Sequence, residues 1–140
     1  MENTEVRLKG LIKSREGLRL KPYRCSAGKL TIGYGRNLDD VGITEKEAEM
    51  LLDRDIAMAQ QDIYTVFGDQ IDDFSEGRYM ALVDMMFNLG RSRFMGFKKM
   101  IAAAKRGDWE EAANQAMDSR WSTQVGQRAI DIERLLREGG

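Results

Sequence analysis

Two hydrophobic patterns divide the chain near residue 42. From Gly42 onwards, apolar residues recur every three or four positions, which is typical of amphipathic helices. Between Glu16 and Gly42 apolar and polar residues alternate, most clearly from Lys29 to Tyr34, and five glycines interrupt this stretch. The sequence therefore predicts a mostly helical chain with one small strand-rich region near its N-terminus.

Capping residues set the expected helix bounds. Thr44 and Glu47 have the spacing of a capping box, and Asp108 and Glu111 repeat that spacing. Ser75 is placed to start a helix that Gly90 ends. The predicted helices cover about residues 4–14, 44–67, 75–89, 97–106, 108–116 and 126–137.

The strand-rich stretch predicts a β-hairpin, with Cys25–Gly28 as its turn. We expect an α+β fold that is predominantly α-helical and forms a single domain over residues 1–140. A small β-rich lobe (15–42) would pack on a larger helical lobe (1–14 and 43–140). A cleft between two such lobes is a natural place for a ligand.

Composition narrows the possible chemistry. The 140 residues include no His and a single Cys, which excludes zinc fingers, His-dependent catalytic triads and internal disulfides. Carboxylate, thiol, hydroxyl and cation chemistry remain, and we expect neither a metal nor a cofactor. The sequence contains no apolar run of membrane-spanning length, and its start lacks a signal-peptide core, so we expect synthesis in the cytoplasm and no stable membrane insertion.

The net charge of −1 hides an uneven distribution. Residues 1–37 hold nine Lys and Arg against three Glu, whereas residues 38–76 hold two cations against twelve acids. The basic segment could face an anionic partner, or the charges could be solvated helix faces. A nucleic-acid binder normally has a more basic balance, so nucleic acid is not expected as a partner.

Three polar residues in and beside the hairpin could act together. Glu16 follows the first predicted helix, Cys25 lies at the turn and Thr31 lies on a strand. Cleavage of a glycosidic bond needs an acid that protonates the leaving oxygen and a second group that attacks the sugar or orients water. Spacing alone is weak support, because such residues occur in most chains.

The motifs around these residues resemble those of the phage-type lysozymes, muramidases that cut peptidoglycan. The segment EGLRLKPY and the later TIGYGR match that family's pattern of Glu, eight residues, Asp, five residues and Thr, with Cys25 at the Asp position. The similarity extends along nearly the whole chain through the segments FNLG (87–90), WEEAA (109–113), SRW (119–121) and QRA (127–129). It implies a lysozyme-like fold.

The resemblance also implies roles for particular residues. Glu16 would be the general acid, and Thr31 would hold a water molecule. Arg128 matches a C-terminal Arg that supports this Glu. Further candidates, for contact with the sugar or the peptide carboxylates, are Tyr34, Asn88 and Arg120. Gly33 and Gly35 are expected to serve backbone geometry.

The sequence departs from the family pattern at two positions: Cys25 replaces the Asp, and Arg36 replaces the His that usually ends TIGxGH. A Cys at this position is a known variant of the family. Cationic neighbours should favour its thiolate. Cys25 could then orient water beside Thr31, giving inversion, or attack the sugar and give retention. We prefer water orientation.

The resulting hypothesis is an endolysin-type lysozyme that hydrolyses the β-1,4 bond between N-acetylmuramic acid and N-acetylglucosamine. A catalytically silent wall-binding protein of a phage or tail-like particle is the alternative, and a lytic transglycosylase is a third possibility. Peptidoglycan in the periplasm would be the partner, reached after a holin permeabilises the membrane. We expect a monomer whose basic N-terminal lobe faces the substrate.

Overall fold

The computed structural model describes residues 2–140. Within this range the chain is mainly helical, with a small antiparallel sheet, as the α+β expectation required. Most of the helices lie after the sheet in sequence, and a 3₁₀ helix (Gly68–Asp73) follows α2. The α-helices are α1 (Glu2–Glu16), α2 (Glu45–Phe67), α3 (Glu76–Leu89), α4 (Arg91–Met95), α5 (Lys98–Lys105), α6 (Trp109–Met117), α7 (Arg120–Val125) and α8 (Gln127–Glu138).

The sheet contains the predicted hairpin and one strand more. Its strands β1 (Arg19–Arg24), β2 (Leu30–Gly33) and β3 (Arg36–Asn37) are antiparallel neighbours in that order. Tyr23 pairs with Thr31, and Thr31 pairs with Asn37 on its other side. Thr31 therefore lies on the central strand. The two-residue β3 is too short to produce a recognisable alternation of apolar and polar residues in the sequence.

The described chain divides into two compact units at the bond between Met50 and Leu51. The first contains α1, the sheet and the start of α2, and the second contains the remaining helices. The lobes expected from the sequence had other bounds, 15–42 against 1–14 and 43–140, and that grouping stays a prediction.

Local capping signals gave correct helix starts. The Thr44 backbone N–H donates to Glu47 Oε1 at 2.9 Å, and the Glu47 N–H donates to Thr44 Oγ1 at 3.1 Å, which is the predicted capping box. Ser75 and Asp108 each accept from the backbone N–H three residues on. The helices α4 and α7 were not predicted, because each is only about one and a half turns long.

The second unit is built around helix α8. It packs against α3, α6 and α7, and α5 packs on α6. Phe94, Met85 and Leu136 are fully buried in this core. Methionine fills part of this core at Met85, Met86 and Met100, whereas Met80 and Met95 are exposed.

Helices α1 and α2 leave much of their apolar surface exposed. On α1, Leu8, Leu11 and Ile12 are each more than two-fifths exposed. On α2, burial in the core is limited to its second half, at Ala59, Ile63 and Phe67. Helical spacing therefore identified both helices but did not fix how far their apolar faces are covered.

An ion pair joins the sheet to the start of α2. The Arg36 guanidinium donates from Nη1 and Nη2 to the two carboxylate oxygens of Glu47, each at 2.9 Å, and Nη1 also donates to the Gly42 carbonyl at 3.1 Å. Hydrogen bonds from Arg36, and after them one from the Thr44 backbone N–H, lower the pKa of Glu47 from 4.5 to about 2. Arg36, which departs from the family motif, thus has a structural role in the first unit.

The Arg36–Glu47 pair predicts a pH-dependent loss of stability. Because the pKa of Glu47 is depressed on folding, its contribution is present above pH 4.5 and is lost as the pH falls towards about 2. We expect Glu47→Gln to lower Tm at neutral pH, and the gap to wild type to close over this acidic range. Thermal melts across that range measure the gap.

Glu49→Gln provides the charge-matched control. Glu49 lies on the same helix and is exposed, and among the described side chains it takes part in none of the ion pairs. We expect the Glu49 variant to change Tm less than the Glu47 variant at neutral pH. Equal effects of the two variants would contradict a special role for the Arg36 pair.

Candidate active site

Cys25 and Thr31 come together at the β1–β2 turn. The Cys25 backbone N–H donates to the Lys29 carbonyl at 3.0 Å, and the Gly28 N–H donates to the Cys25 carbonyl at 2.8 Å, which closes the turn. The Thr31 hydroxyl donates to the same Lys29 carbonyl at 2.8 Å. Since its proton is used in this bond, its oxygen is left as an acceptor. Thr31 is 4% exposed, and the free thiol of Cys25 is partly buried.

The turn favours the thiolate form of Cys25. Hydrogen bonds from the backbone of Lys29 and then Ala27 lower the pKa of this thiol below its ordinary value of 9.0. The direction agrees with the expectation from the sequence. The cause differs, because backbone hydrogen bonds rather than cationic side chains lower the pKa.

Glu16 ends α1, and its carboxylate lies against the β2–β3 turn. The helix stops because Gly17 takes a positive φ of 71°, with its N–H donating to the Lys13 carbonyl at 3.0 Å. The Glu16 carboxylate then lies over Gly35: Oε2 is 2.7 Å from where a Cβ at position 35 would be. The Glu16 carboxylate thus lies at the β2–β3 turn, whereas Cys25 and Thr31 meet at the β1–β2 turn.

Tyr34 lies in the same β2–β3 turn and is 40% exposed. The Lys13 ammonium sits 5.3 Å from the centre of its ring, within the range of a cation–π contact. Its exposed ring is accessible to a ligand, and its role in binding sugar stays a prediction.

A groove of about 580 Å³ lies in the second unit, beside Arg120. Phe97 and Trp121 contribute apolar surface, and their rings make an edge-to-face contact with centres 6.1 Å apart. The cationic side chains that line the groove outnumber its one acid, Asp118; they are Arg93, Lys98, Lys99 and Arg120. We call this the cationic groove. A sugar ring suits the half-buried ring of Phe97, and a carboxylate suits the cationic rim.

Asn88 supports one wall of the cationic groove. The Trp121 indole Nε1–H donates to Asn88 Oδ1 at 2.7 Å, and Trp121 is 3% exposed. Asn88 itself is exposed, so its amide NH₂ group is available to a ligand while its oxygen is occupied. The predicted binding role of Asn88 is thus compatible with a structural one.

Removal of the Asn88 oxygen should destabilise the protein. Asn88→Leu leaves the buried Trp121 N–H without an acceptor, which costs about 1–3 kcal/mol. Urea denaturation measures this cost. In a Trp121→Phe background the donor is already gone, so we expect the same Asn88 change to cost less there. An equal cost in both backgrounds would show that the hydrogen bond is unimportant.

Arg128 is held by Asp84, a residue that the sequence analysis did not single out. Arg128 Nε donates to Asp84 Oδ1 at 2.8 Å, and Nη2 donates to the same oxygen and, at 3.5 Å, to the Asp84 carbonyl. Both residues belong to the second unit, whereas Glu16 belongs to the first. The predicted support of Glu16 by Arg128 stays a prediction.

Across the chain from residue 2 onwards, the structure contains no cluster of three or more His, Cys, Asp or Glu side chains arranged to hold a metal ion. In the same range, no helix combines the length and the apolar character needed to cross a bilayer.

Comparison with known proteins assigns the family. The family model described as Phage lysozyme matches residues 13–136, which include Glu16, Cys25, Thr31 and Arg128. The endolysin of Acyrthosiphon pisum secondary endosymbiont phage 1 is 36% identical over 117 residues, covering 80% of this chain and 75% of the relative. The chain belongs to the phage lysozyme family.

This phage lysozyme family member spans very different shares of two further relatives. Probable T4-type lysozyme 2 of Dictyostelium discoideum is 29% identical, with 94% of each chain covered. The pre-baseplate central spike protein Gp5 of Enterobacteria phage T4 is also 29% identical. The match to the spike protein takes in 99% of this chain but only 29% of that protein's length.

Family membership confirms the resemblance inferred from the sequence and the expected fold class. It also confirms the enzyme class at the level of the family, which is that of a glycoside hydrolase of the muramidase type. The roles of individual residues remain predictions.

Three features of this phage lysozyme family member were not predicted from its sequence. The contact between Trp121 and Asn88, the partnership of Asp84 with Arg128, and the Lys98–Lys99 rim of the cationic groove all depend on contacts between helices. One usable signal existed for Asp84. It lies four residues before Asn88 on α3, so the two share a helix face.

Proposed function

We propose that this protein hydrolyses the β-1,4 bond between N-acetylmuramic acid and N-acetylglucosamine in bacterial peptidoglycan. The observation that carries the proposal is the arrangement of one small sheet in a phage lysozyme family member. A helix-end carboxylate lies against one of its turns, and a thiol of lowered pKa meets a threonine hydroxyl at the other.

Glu16 is the proposed general acid. It gives its proton to the glycosidic oxygen as the bond from that oxygen to C1 breaks, so the leaving sugar departs as a neutral alcohol. An exposed carboxylate at a helix end suits this role, because it is accessible to substrate while its backbone is held. Arg128 is proposed to support Glu16, and Asp84 is the residue that holds the guanidinium of Arg128.

Cys25 and Thr31 are the proposed water-orienting pair. The Thr31 oxygen has its own proton engaged with Lys29, so it is free to accept a hydrogen bond from water. A thiolate at Cys25 accepts the second hydrogen of the same water. Water then attacks C1 from the face opposite the leaving group and gives one proton to the Cys25 thiolate as the new O–C1 bond forms, so the product anomer is inverted. A covalent glycosyl–Cys25 intermediate would give retention instead.

Substrate binding is proposed to use Tyr34, Asn88 and Arg120. Arg120 lies on the rim of the cationic groove, where it and Lys98 and Lys99 suit the carboxylates of the peptide stems. The exposed amide group of Asn88 and the ring of Tyr34 suit sugar hydroxyls and sugar faces.

The proposed setting is that of an endolysin. The enzyme would be made in the host cytoplasm, act as a monomer without a metal or cofactor, and reach periplasmic peptidoglycan after a holin permeabilises the membrane. The likeness to an endolysin over 80% of the chain supports this setting.

A second candidate function, that of a wall-binding structural protein, is supported by a different observation. The match to a phage spike protein covers 99% of this chain, which favours a wall-binding component of a phage or tail-like particle. In that case the groove would bind glycan strands and Cys25 would mark a lost acid–base pair.

Incubation with permeabilised Gram-negative cells and with purified peptidoglycan separates the candidates. Falling turbidity, with fragments that mass spectrometry shows to have gained water, is expected. Anhydro-muramic ends would indicate a lytic transglycosylase. Co-sedimentation with peptidoglycan without any cleavage would support the wall-binding protein and overturn the hydrolase.

A further inference from the structure

The β2–β3 turn has a steric property that its motif alone does not reveal. Gly33 and Gly35 both adopt a positive φ, of 70° and 81°, which side chains of L-residues rarely adopt. Their surroundings differ. A Cβ at position 33 would meet nothing within 4 Å, whereas a Cβ at position 35 would collide with the Glu16 side chain.

The collision at position 35 involves the end of the Glu16 side chain. The added Cβ would be 2.7 Å from Oε2, 3.0 Å from the carboxyl carbon and 3.4 Å from Cγ. Optimal separation of nonbonded carbon atoms is about 3.5–4.0 Å. The carboxylate therefore occupies space that is open only because residue 35 has no side chain.

The group that would have to move is flexible. Glu16 is exposed and its carboxylate sits at the end of a side chain that can rotate, so the fold can absorb a Cβ at position 35 by displacing the carboxylate. The consequence of a larger residue 35 would then fall mainly on the position of the carboxylate, and less on the backbone.

We propose that Gly35 is a positioning residue for Glu16, because its lack of a side chain leaves the space in which the acid is held for proton transfer. This inference rests on the proposed function of Glu16. It assigns Gly35 a role beyond the backbone geometry that the motif suggested, and it leaves Gly33 with the backbone role alone. An acid displaced by about 1 Å can lose about 100-fold in rate.

The test compares Gly35→Ala with Gly33→Ala, a control that shares the positive φ but lacks the contact. On dye-labelled peptidoglycan we expect Gly35→Ala to lower kcat by about 100-fold with little change in KM. We expect Gly33→Ala to stay within about threefold of wild type. Both variants should lower Tm through backbone strain, and Gly35→Ala should lower it further because it must also displace the Glu16 carboxylate. Equal kcat losses in the two variants would overturn the proposal.

A second pair of variants tests the contact independently of catalysis. Glu16→Ala removes the atoms that a Cβ at position 35 would meet. We therefore expect Gly35→Ala to lower Tm less in the Glu16→Ala background than in wild type, while Gly33→Ala lowers it equally in both. These Tm measurements test the contact even if the protein proves inactive on peptidoglycan. Identical Tm losses for Gly35→Ala in the two backgrounds would overturn the proposal.

A shorter acidic side chain at position 16 tests whether the loss of kcat in Gly35→Ala can be partly reversed. In Glu16→Asp the carboxylate is withdrawn by one methylene, so a Cβ at position 35 loses its closest contact, the one to Oε2 at 2.7 Å, and should displace the acid less. We expect Gly35→Ala to reduce kcat by a smaller factor in this background than in wild type. An equal or larger factor would argue that position 35 acts on catalysis without acting through Glu16.

Discussion

Replacement of Glu16 with Gln is expected to lower kcat on peptidoglycan by roughly 10²- to 10⁴-fold, the range that removal of a general acid covers. Gln keeps the size of the side chain but cannot donate a carboxylic proton to the leaving sugar oxygen. Because Glu16 is exposed at the end of α1, the change should have little effect on Tm. Dye release from labelled peptidoglycan and thermal melts measure the two quantities.

Glu5→Gln is the matched control for this prediction. Glu5 is an exposed residue of the same helix, so this variant removes one negative charge eleven residues before Glu16. We expect its activity to stay within about twofold of wild type. A Glu16→Gln variant that hydrolysed peptidoglycan as fast as Glu5→Gln would remove Glu16 from the mechanism.

Substitution of Cys25 is the second change expected to have a large effect on kcat. We expect Cys25→Ala to lower kcat by roughly 10²-fold, because Ala cannot accept a hydrogen bond from the attacking water. Cys25→Asp should retain activity, because a carboxylate supplies the same acceptor at the position where the family usually has Asp. Initial rates on labelled peptidoglycan compare the two variants with wild type. If both variants were equally active, Cys25 would have no part in catalysis.

The stereochemistry of the product separates the two chemical roles of Cys25. Water orientation predicts that the first-formed anomer, observed by NMR, is inverted. Hydrogen bonds from the backbone of Lys29 and Ala27 lower the pKa of the Cys25 thiol, which favours the thiolate for either role. A retained anomer would reject water orientation and point to a glycosyl–Cys25 intermediate.

Much of the architecture was predictable because it depends on residues close together in sequence. The Thr44–Glu47 capping box and the Ser75 cap each join residues three positions apart, within a single helical turn. Cys25 and Thr31 also meet through local geometry, since a tight turn between antiparallel strands brings the residues on either side of it together.

Other contacts could not be predicted from the spacing of apolar and polar residues along the sequence. Trp121 meets Asn88 across 33 residues, Arg128 meets Asp84 across 44, and Arg36 meets Glu47 across 11. Each contact joins side chains of separate elements, so it exists only once those elements have packed. The sequence named some of these residues, but it offered no means of pairing them.

By itself the sequence determined the helices with strong caps, the hairpin, the family and the three residues proposed for catalysis. It could do so because caps, turns and motif spacing are encoded over a few neighbouring residues. The tertiary structure alone decided that backbone hydrogen bonds tune Cys25, that Asp84 holds Arg128, and that Gly35 makes room for Glu16. The tuning of Cys25 depends on the detailed backbone geometry of its own turn. The other two outcomes depend on distances between atoms of separate elements, which packing sets and no local pattern records.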